Sequence, residues 1–377
     1  MALAIFLTAA CAPAAVSPAP VAGDPASSLT GTSFTMGGDP DMVEFFADQG
    51  SLIAYSTRSA PPPHASKIQR ADPATKTWRT VYESDAMFDL RRVAAGRIAV
   101  HEYREMPESG GAFSAKITVV DLATGIPLTI DAFALSAATF RGGGSAPRRP
   151  GFGLALGSDR VAWTRLIEGP AGTITGELEL APLTDPTRRE TIARSAEWIA
   201  PLAVDATRLV YVLGGKTHDE LHVRDLTSGS DTIARVTTVG DVAVGVLPGM
   251  DYAAVTGRWA VWPENGPPMS QGTGPANATI HAFDLTTRAE RTLDTGDATS
   301  CWRVTAGSRY IAPGCMARAG TTVPLYDAVT VQPVAVPPGL GVGAIAADDG
   351  VIWFTSPPDA RTVTLFRPRL LTSTPAR

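Results

Sequence analysis

Arg208-Leu209-Val210-Tyr211, then Leu221-His222-Val223-Arg224-Asp225-Leu226, then Asp231-Thr232-Ile233-Ala234-Arg235-Val236 make the stretch that decides the fold. Each piece is a short apolar run of strand composition, and polar turn residues separate the pieces. Leu202-Ala203-Val204, just upstream, supplies a fourth run. Four strands in sequence, joined by turns, form one small antiparallel sheet.

The first of these phrases recurs along the chain. Its copies are Ser51-Leu52-Ile53-Ala54-Tyr55, Arg97-Ile98-Ala99-Val100, Arg160-Val161-Ala162-Trp163, Arg208-Leu209-Val210-Tyr211, Arg258-Trp259-Ala260-Val261-Trp262, Arg309-Tyr310-Ile311-Ala312 and Gly350-Val351-Ile352-Trp353-Phe354. The second phrase, a strand running into Asp, keeps step at Asp72, Asp121, Asp225, Asp284 and Asp327, with a degenerate copy at Leu178–Leu183. Strand-bearing repeats roughly 40–60 residues apart predict a β-propeller. The expected fold is all-β: a seven-bladed propeller with four-stranded blades. The last repeat lacks a clear outer strand. Gly31-Thr32-Ser33-Phe34-Thr35-Met36 has the alternation of one, so a strand near 31–36 is expected to pair with the last blade and close the ring.

The 36 Gly and 31 Pro fit a turn-rich chain, and no long stretch shows a 3.6-residue period. Residues 31–371 read as one domain and 372–377 as a tail. Residues 1–11 are apolar and end in Cys11, and the Ala/Pro/Ser-rich stretch 12–30 reads as a disordered linker. This start resembles a bacterial lipoprotein signal, which implies lipidation at Cys11 and an exported protein, either an envelope lipoprotein or secreted. An ordinary cleaved signal near Ala12 or Ala14 is the other reading. Cys301 and Cys315 flank the turn at Ala306-Gly307-Ser308 almost symmetrically, and opposed strand positions there predict a disulfide.

Net charge is −5 with 18% charged residues, and no basic tract marks a nucleic-acid surface. Phosphate-loop, nucleophile-elbow and zincin motifs are missing from the sequence, so no cofactor, metal site or catalytic residue is assigned. The repeated Asp residues read as turn formers. His222 and His281 share one repeat slot that reads as an outward strand position, and His101 reads as the end of a strand. The lead-ins to the innermost strands carry residues that break the repeat: Asp89, Arg91, Arg92, Glu197, Trp198, Asp251, Tyr252, Trp302 and Arg303. They are the candidate contacts for a partner at the channel mouth. The two longest insertions, Phe140–Pro150 and Asn265–Asn277, are Gly/Pro/Ser-rich.

Ala347-Asp348-Asp349-Gly350-Val351-Ile352-Trp353-Phe354-Thr355-Ser356 resembles the strand lead-in of TolB-like and related WD40-like propellers of bacterial envelopes, and Asp121–Gly125 fits the same group. The resemblance implies a fold and an envelope setting. Two function classes stay open. One is a non-catalytic, lipid-anchored monomeric scaffold that binds an envelope protein or glycan. The other is a propeller hydrolase or lyase with a site at the channel mouth.

Overall fold

In the computed structural model the described residues are 29–35, 42–48, 51–58, 65–72, 74–106, 112–136, 153–170, 173–215, 218–238, 254–264, 279–294, 298–317, 325–334, 343–347, 350–354 and 362–368. All regular elements of any length are strands. β1 is Leu29–Thr35. Blade 1 comprises β2 (Met42–Asp48), β3 (Ser51–Arg58), β4 (Ala65–Ala71) and β5 (Trp78–Ser84). Blade 2 comprises β6 (Met87–Ala94), β7 (Arg97–Met106), β8 (Ala112–Asp121) and β9 (Pro127–Leu135). Blade 3 comprises β10 (Leu154–Leu156), β11 (Arg160–Glu168), β12 (Ile174–Pro182) and β13 (Glu190–Ser195). Blade 4 comprises β14 (Ile199–Val204), β15 (Arg208–Gly214), β16 (His218–Asp225) and β17 (Asp231–Thr238). Blade 5 comprises β18 (Ala254–Thr256), β19 (Trp259–Glu264), β20 (Thr279–Asp284) and β21 (Glu290–Leu293). Blade 6 comprises β22 (Ala298–Ala306), β23 (Tyr310–Ala317), β24 (Leu325–Asp327) and β25 (Pro333–Val334). The remaining strands are β26 (Gly343–Ala347), β27 (Gly350–Phe354) and β28 (Thr362–Pro368).

Six blades are thus self-contained meanders of four consecutive strands. The remaining sheet has the order β1-β28-β27-β26 and joins the two ends of the described chain. This corrects the expected blade count of seven: six repeats form complete blades, and the last supplies only three strands, to a sheet shared with β1. The closing strand also begins earlier than Gly31 and stops before Met36. Leu29 lies opposite Pro368, Thr32 opposite Leu365 and Thr35 opposite Thr362. Backbone pairing with β28 sets these bounds, whereas the sequence reading relied on side-chain alternation.

The repeat phrase is apolar because its strand is covered on both faces. Ile98, Val100, Val120 and Leu122 of blade 2 pack on Ile53, Tyr55 and Ile68 of blade 1. Ala99 and Ile117, on the other face of the same blade, meet Leu154, Val161 and Trp163 of blade 3. A strand buried on both sides reads as a continuous apolar run without alternation. Burying a side chain of this size contributes about 2 kcal/mol.

The Asp turns follow one geometry. Asp121 accepts N–H bonds from Ala123 and Thr124 at 3.0 and 2.8 Å, and Asp225 accepts from Thr227 and Ser228, both at 2.8 Å. Four residues after each Asp the chain turns left-handed. Gly125 (φ 77°) and Gly229 (φ 74°) suit that position, and Lys76, Arg288 and Val331 also adopt it. The outer strands of blades 1–4 share a bulge, opposite Ile68/Gln69, Ile117/Thr118, Leu178/Glu179 and Leu221/His222. A bulge there adds local twist.

Candidate functional site

The two faces of the ring are built differently. Each innermost strand enters from one face and ends at the other in a tight turn to its neighbour, such as 95–96, 157–159, 205–207 or 257–258. The Asp turns return to that same face, which we call the turn face. The opposite face receives the long connections 136–153, 239–253 and 265–278, beside short ones such as 85–86 and 215–217.

Contacts between successive blades stitch the turn face together. Asp48 Oδ2 accepts the Gly96 N–H at 2.5 Å. Arg97 Nη1 donates to the Ser158 carbonyl at 2.8 Å, and Arg208 Nη2 donates to the Gly257 carbonyl at 2.6 Å. The Thr256 hydroxyl donates to the Gly307 carbonyl at 2.6 Å. Gly157 sits so close to blade 4 that a Cβ there would meet the Val204 carbonyl at 2.5 Å. Farther out, Arg79 reaches the Ala123 carbonyl at 3.1 Å, and Trp259 Nε1 donates to the Val329 carbonyl at 3.0 Å. Arg258 and Arg291 flank the Trp259 ring at 5.1 and 5.6 Å. Two of the repeated Arg residues, Arg97 and Arg208, are therefore inter-blade latches.

At the channel mouth on this face, a recess of about 310 Å³ lies between the inner strands of blades 2–5. Its walls are Leu156, Leu202, Val204 and Val255, and Arg92, Asp205 and Arg208 supply its charge. Burial pushes the Asp205 pKa up. The Thr207 N–H and hydroxyl, the Arg208 N–H and the Arg208 charge outweigh that and hold it below the usual value. Arg208 is thereby held between Asp205 (3.1 Å) and Gly257, while Arg92 is exposed. A second recess of about 410 Å³ runs between blades 2 and 3, where Val119, Ile126, Leu128 and Leu183 face Arg97, Asp121 and Asp159.

The sequence candidates divide between the two faces. Asp89, Arg91 and Arg92 lie along β6, and Arg92 lines the recess near the turn face. Glu197 and Trp198 immediately precede β14, at the opposite face. Trp198 packs on the apolar cluster between blades 4 and 5, and its carbonyl accepts the Gly214 N–H at 2.7 Å. Trp302 and Arg303 lie on β22. Asp251, Tyr252 and Cys11 lie outside the described residues. Cys301 and Cys315 are register partners on β22 and β23; their side chains are outside the described part, and no disulfide is found among the described residues.

The histidines differ from their sequence reading. His101 lies within β7, not at its end, and is 1% exposed; burial pushes its pKa down to about 3. Its ring stacks between Tyr103 and Phe133. His222 and His281 do not point outward. They stack on Tyr211 and Trp262 with ring centroids 4.7 and 5.6 Å apart. His222 Nδ1 meets Asp231 at 3.2 Å, and His281 Nδ1 meets Glu290 at 2.7 Å. The aromatic on each ring, Tyr211 or Trp262, lies directly opposite on the neighbouring strand, so the pattern of the histidine's own strand did not reveal it.

Buried carboxylates were also missed. Glu102, 3% exposed, accepts from the Tyr82, Ser84 and Thr118 hydroxyls at 3.0, 2.9 and 2.5 Å, and Lys116 Nζ lies 3.2 Å away. Burial first, and then the Glu102 charge, raise the Tyr82 pKa. Asp131 joins blade 2 to blade 3 through Trp163 Nε1 at 3.1 Å and Arg189 at 3.0 Å. These networks fill blade walls with satisfied polar groups. Among the described residues, no three of His, Cys, Asp and Glu are grouped so as to hold a metal ion, and no helix is long and apolar enough to cross a membrane.

No protein-family model matches the chain, and neither does any curated protein. Solved structures do match. The β-propeller domain of the Trilobed protease from Pyrococcus furiosus, described as having an open velcro topology, aligns with a TM-score of 0.54 at 10% identity. The alignment covers 87% of this chain and 94% of that one. TolB from Acinetobacter baumannii aligns with a TM-score of 0.40 at 15% identity over 84% of this chain and 79% of its own. An oligogalacturonate lyase from Vibrio parahaemolyticus aligns with a TM-score of 0.44 at 10% identity, over 89% and 98% of the two chains. These likenesses are in the β-propeller fold. The match to the Pyrococcus furiosus domain supports the β-propeller fold expected from the resemblance.

Proposed function

We propose that this protein is an exported, non-catalytic binding scaffold, lipid-anchored through Cys11, whose long-connection face engages an envelope protein or a glycan. One observation carries the reading: the two faces of the ring are unequal. The turn face is closed by short turns and inter-blade latches, while the other face bears the long connections on a rigid frame. Binding segments concentrate on connections held by such a scaffold. Glu197 and Trp198 mark that face, and the connections 136–153, 239–253 and 265–278 leave from it. The neighbouring wall networks of Glu102 and Asp131 are saturated by their own partners, which suits a structural role.

The test combines intact mass with site-specific photocrosslinking in cells that export the full chain. A diacyl or triacyl mass on a chain beginning at Cys11 is expected. A crosslinker at Ala196 should give one discrete adduct, lost in Glu197→Ala, and a crosslinker at Thr207 should give none. An unmodified soluble chain overturns the anchor. An adduct from Thr207 and none from Ala196 overturns the choice of face.

A further inference from the structure

We infer that the turn face is held against the membrane and the long-connection face is presented away from it. This rests on the anchor at Cys11 and adds the orientation of the ring. The argument starts at β1. Its first residue, Leu29, lies opposite Pro368, the last residue of β28. Across β28, Phe366 lies opposite Val351, next to the start of β27. β27 begins two residues after β26, with Ala347 opposite Gly350, so Leu29 stands at the end of the composite sheet where these two strands join. That end belongs to the turn face. Residues 12–28, which join Cys11 to the ring, therefore depart from the rim of that face.

Reach then discriminates between the two orientations. A random coil as long as residues 12–28 spans about 23 Å root mean square. The seven residues of β1 rise by about 23 Å, which is the height of the ring at that edge. The turn face can meet a bilayer with the chain near its relaxed span. To turn the other face to the bilayer, the same chain must first run back along the outside of the ring for its whole height.

The surface of the turn face supplies an independent observation. Ile126 and Val329 are 66% and 67% exposed, and both sit on Asp turns, in blades 2 and 6. Leu128, beside Ile126, is 37% exposed. On the same turns, Asp121 and Asp327 fold their carboxylates back onto backbone N–H groups of their own loops. The tips thus offer apolar side chains, while the adjacent charge is engaged within the protein. Apolar tips of this kind enter the headgroup boundary of a lipid surface favourably.

The experiment uses the acylated full chain, in a Cys301→Ser/Cys315→Ser background, bound to phosphatidylcholine/phosphatidylglycerol vesicles that carry a headgroup energy-transfer acceptor. A donor dye is placed by Val329→Cys on the turn face or by Ala196→Cys on the opposite face. Transfer from position 329 should exceed transfer from 196 by at least twofold. Equal transfer, or stronger transfer from 196, on protein whose mass confirms acylation overturns the orientation and leaves the anchor standing. A chain with no acyl mass that stays off the vesicles overturns the anchor, and the orientation with it.

Discussion

The turn face and the long-connection face share the same strands and differ in how the strands are joined. On the turn face no connection exceeds the seven residues 183–189, and neighbouring blades touch through named pairs such as Asp48–Gly96, Arg97–Ser158 and Arg208–Gly257. On the other face the connections lengthen and vary from blade to blade. Inter-blade bonds also lie towards the other face, where the Ser136 N–H donates to Glu168 at 2.8 Å and the Thr164 hydroxyl donates to the Ile199 carbonyl at 2.8 Å, so the faces differ in the length of their connections rather than in whether blades touch. Substitutions at the close blade contacts of the turn face should therefore cost more than substitutions in the exposed connections of its opposite.

Removing Leu29–Thr35 is the largest expected perturbation, because it leaves β28 as an open sheet edge and unties the ring. We expect a loss on the order of 4 kcal/mol or more, measured by urea unfolding, with self-association visible in sedimentation. Unchanged stability would mean that the composite sheet closes nothing. Next in size is Gly157→Val, whose side chain collides with blade 4 on the turn face. Overpacking of this kind costs about 2–3 kcal/mol. Ala196→Val, exposed at the opposite face, should stay within about 0.5 kcal/mol. Comparable losses from the two variants would erase the distinction between the faces.

Acid should separate the wall of the ring from its turn face. The folded pKa of His101, about 3, lies below its unfolded value, so the unfolded chain takes up the proton first. Stability is then lost as pH falls from about 6.5, by about 2 kcal/mol between pH 7 and pH 5. His101→Phe should flatten that stretch of the profile. The turn carboxylates act lower. Backbone N–H bonds hold Asp72, Asp121 and Asp225 below their ordinary range. Their contribution is complete above the unfolded carboxylate value and fades as pH falls below about 4. Hydrogen exchange at pH 3 should show the turn face opening; uniform opening of both faces would contradict this. The smallest expected effect is a gain. Arg288 holds φ 60° at an exposed turn position where Asp121 and Asp225 have Gly, and Arg288→Gly should add about 0.5–1 kcal/mol by relieving that strain. A loss of stability would show that the side chain outweighs the backbone.

Much of the blade was legible because its signals are local. Asp225 and Gly229 define a turn by bonds within five residues, and Val210 and Val212 are apolar because they share a buried cluster with Ala260, Trp262 and Phe283 of blade 5. Burial of His101 and Glu102 was not legible, since the groups that cover them come from other strands and another blade: Phe133 for His101, Tyr82 and Ser84 for Glu102. The candidate site was split for the same reason. Arg92 and Trp198 both belong to lead-ins of inner strands, but a few residues along a strand carry the chain from one face towards the other.

The sequence by itself determined the strand phrases, the Asp turns and the propeller class, since strand and turn preferences act over a few residues. Tertiary structure alone decided that six blades are complete, and it set the bounds of the closing strand and the register of Leu29 on Pro368. It also decided which rim carries the longer connections. Those outcomes depend on pairing between distant segments, where backbone hydrogen bonding and inter-blade packing choose among registers that the local pattern leaves equivalent.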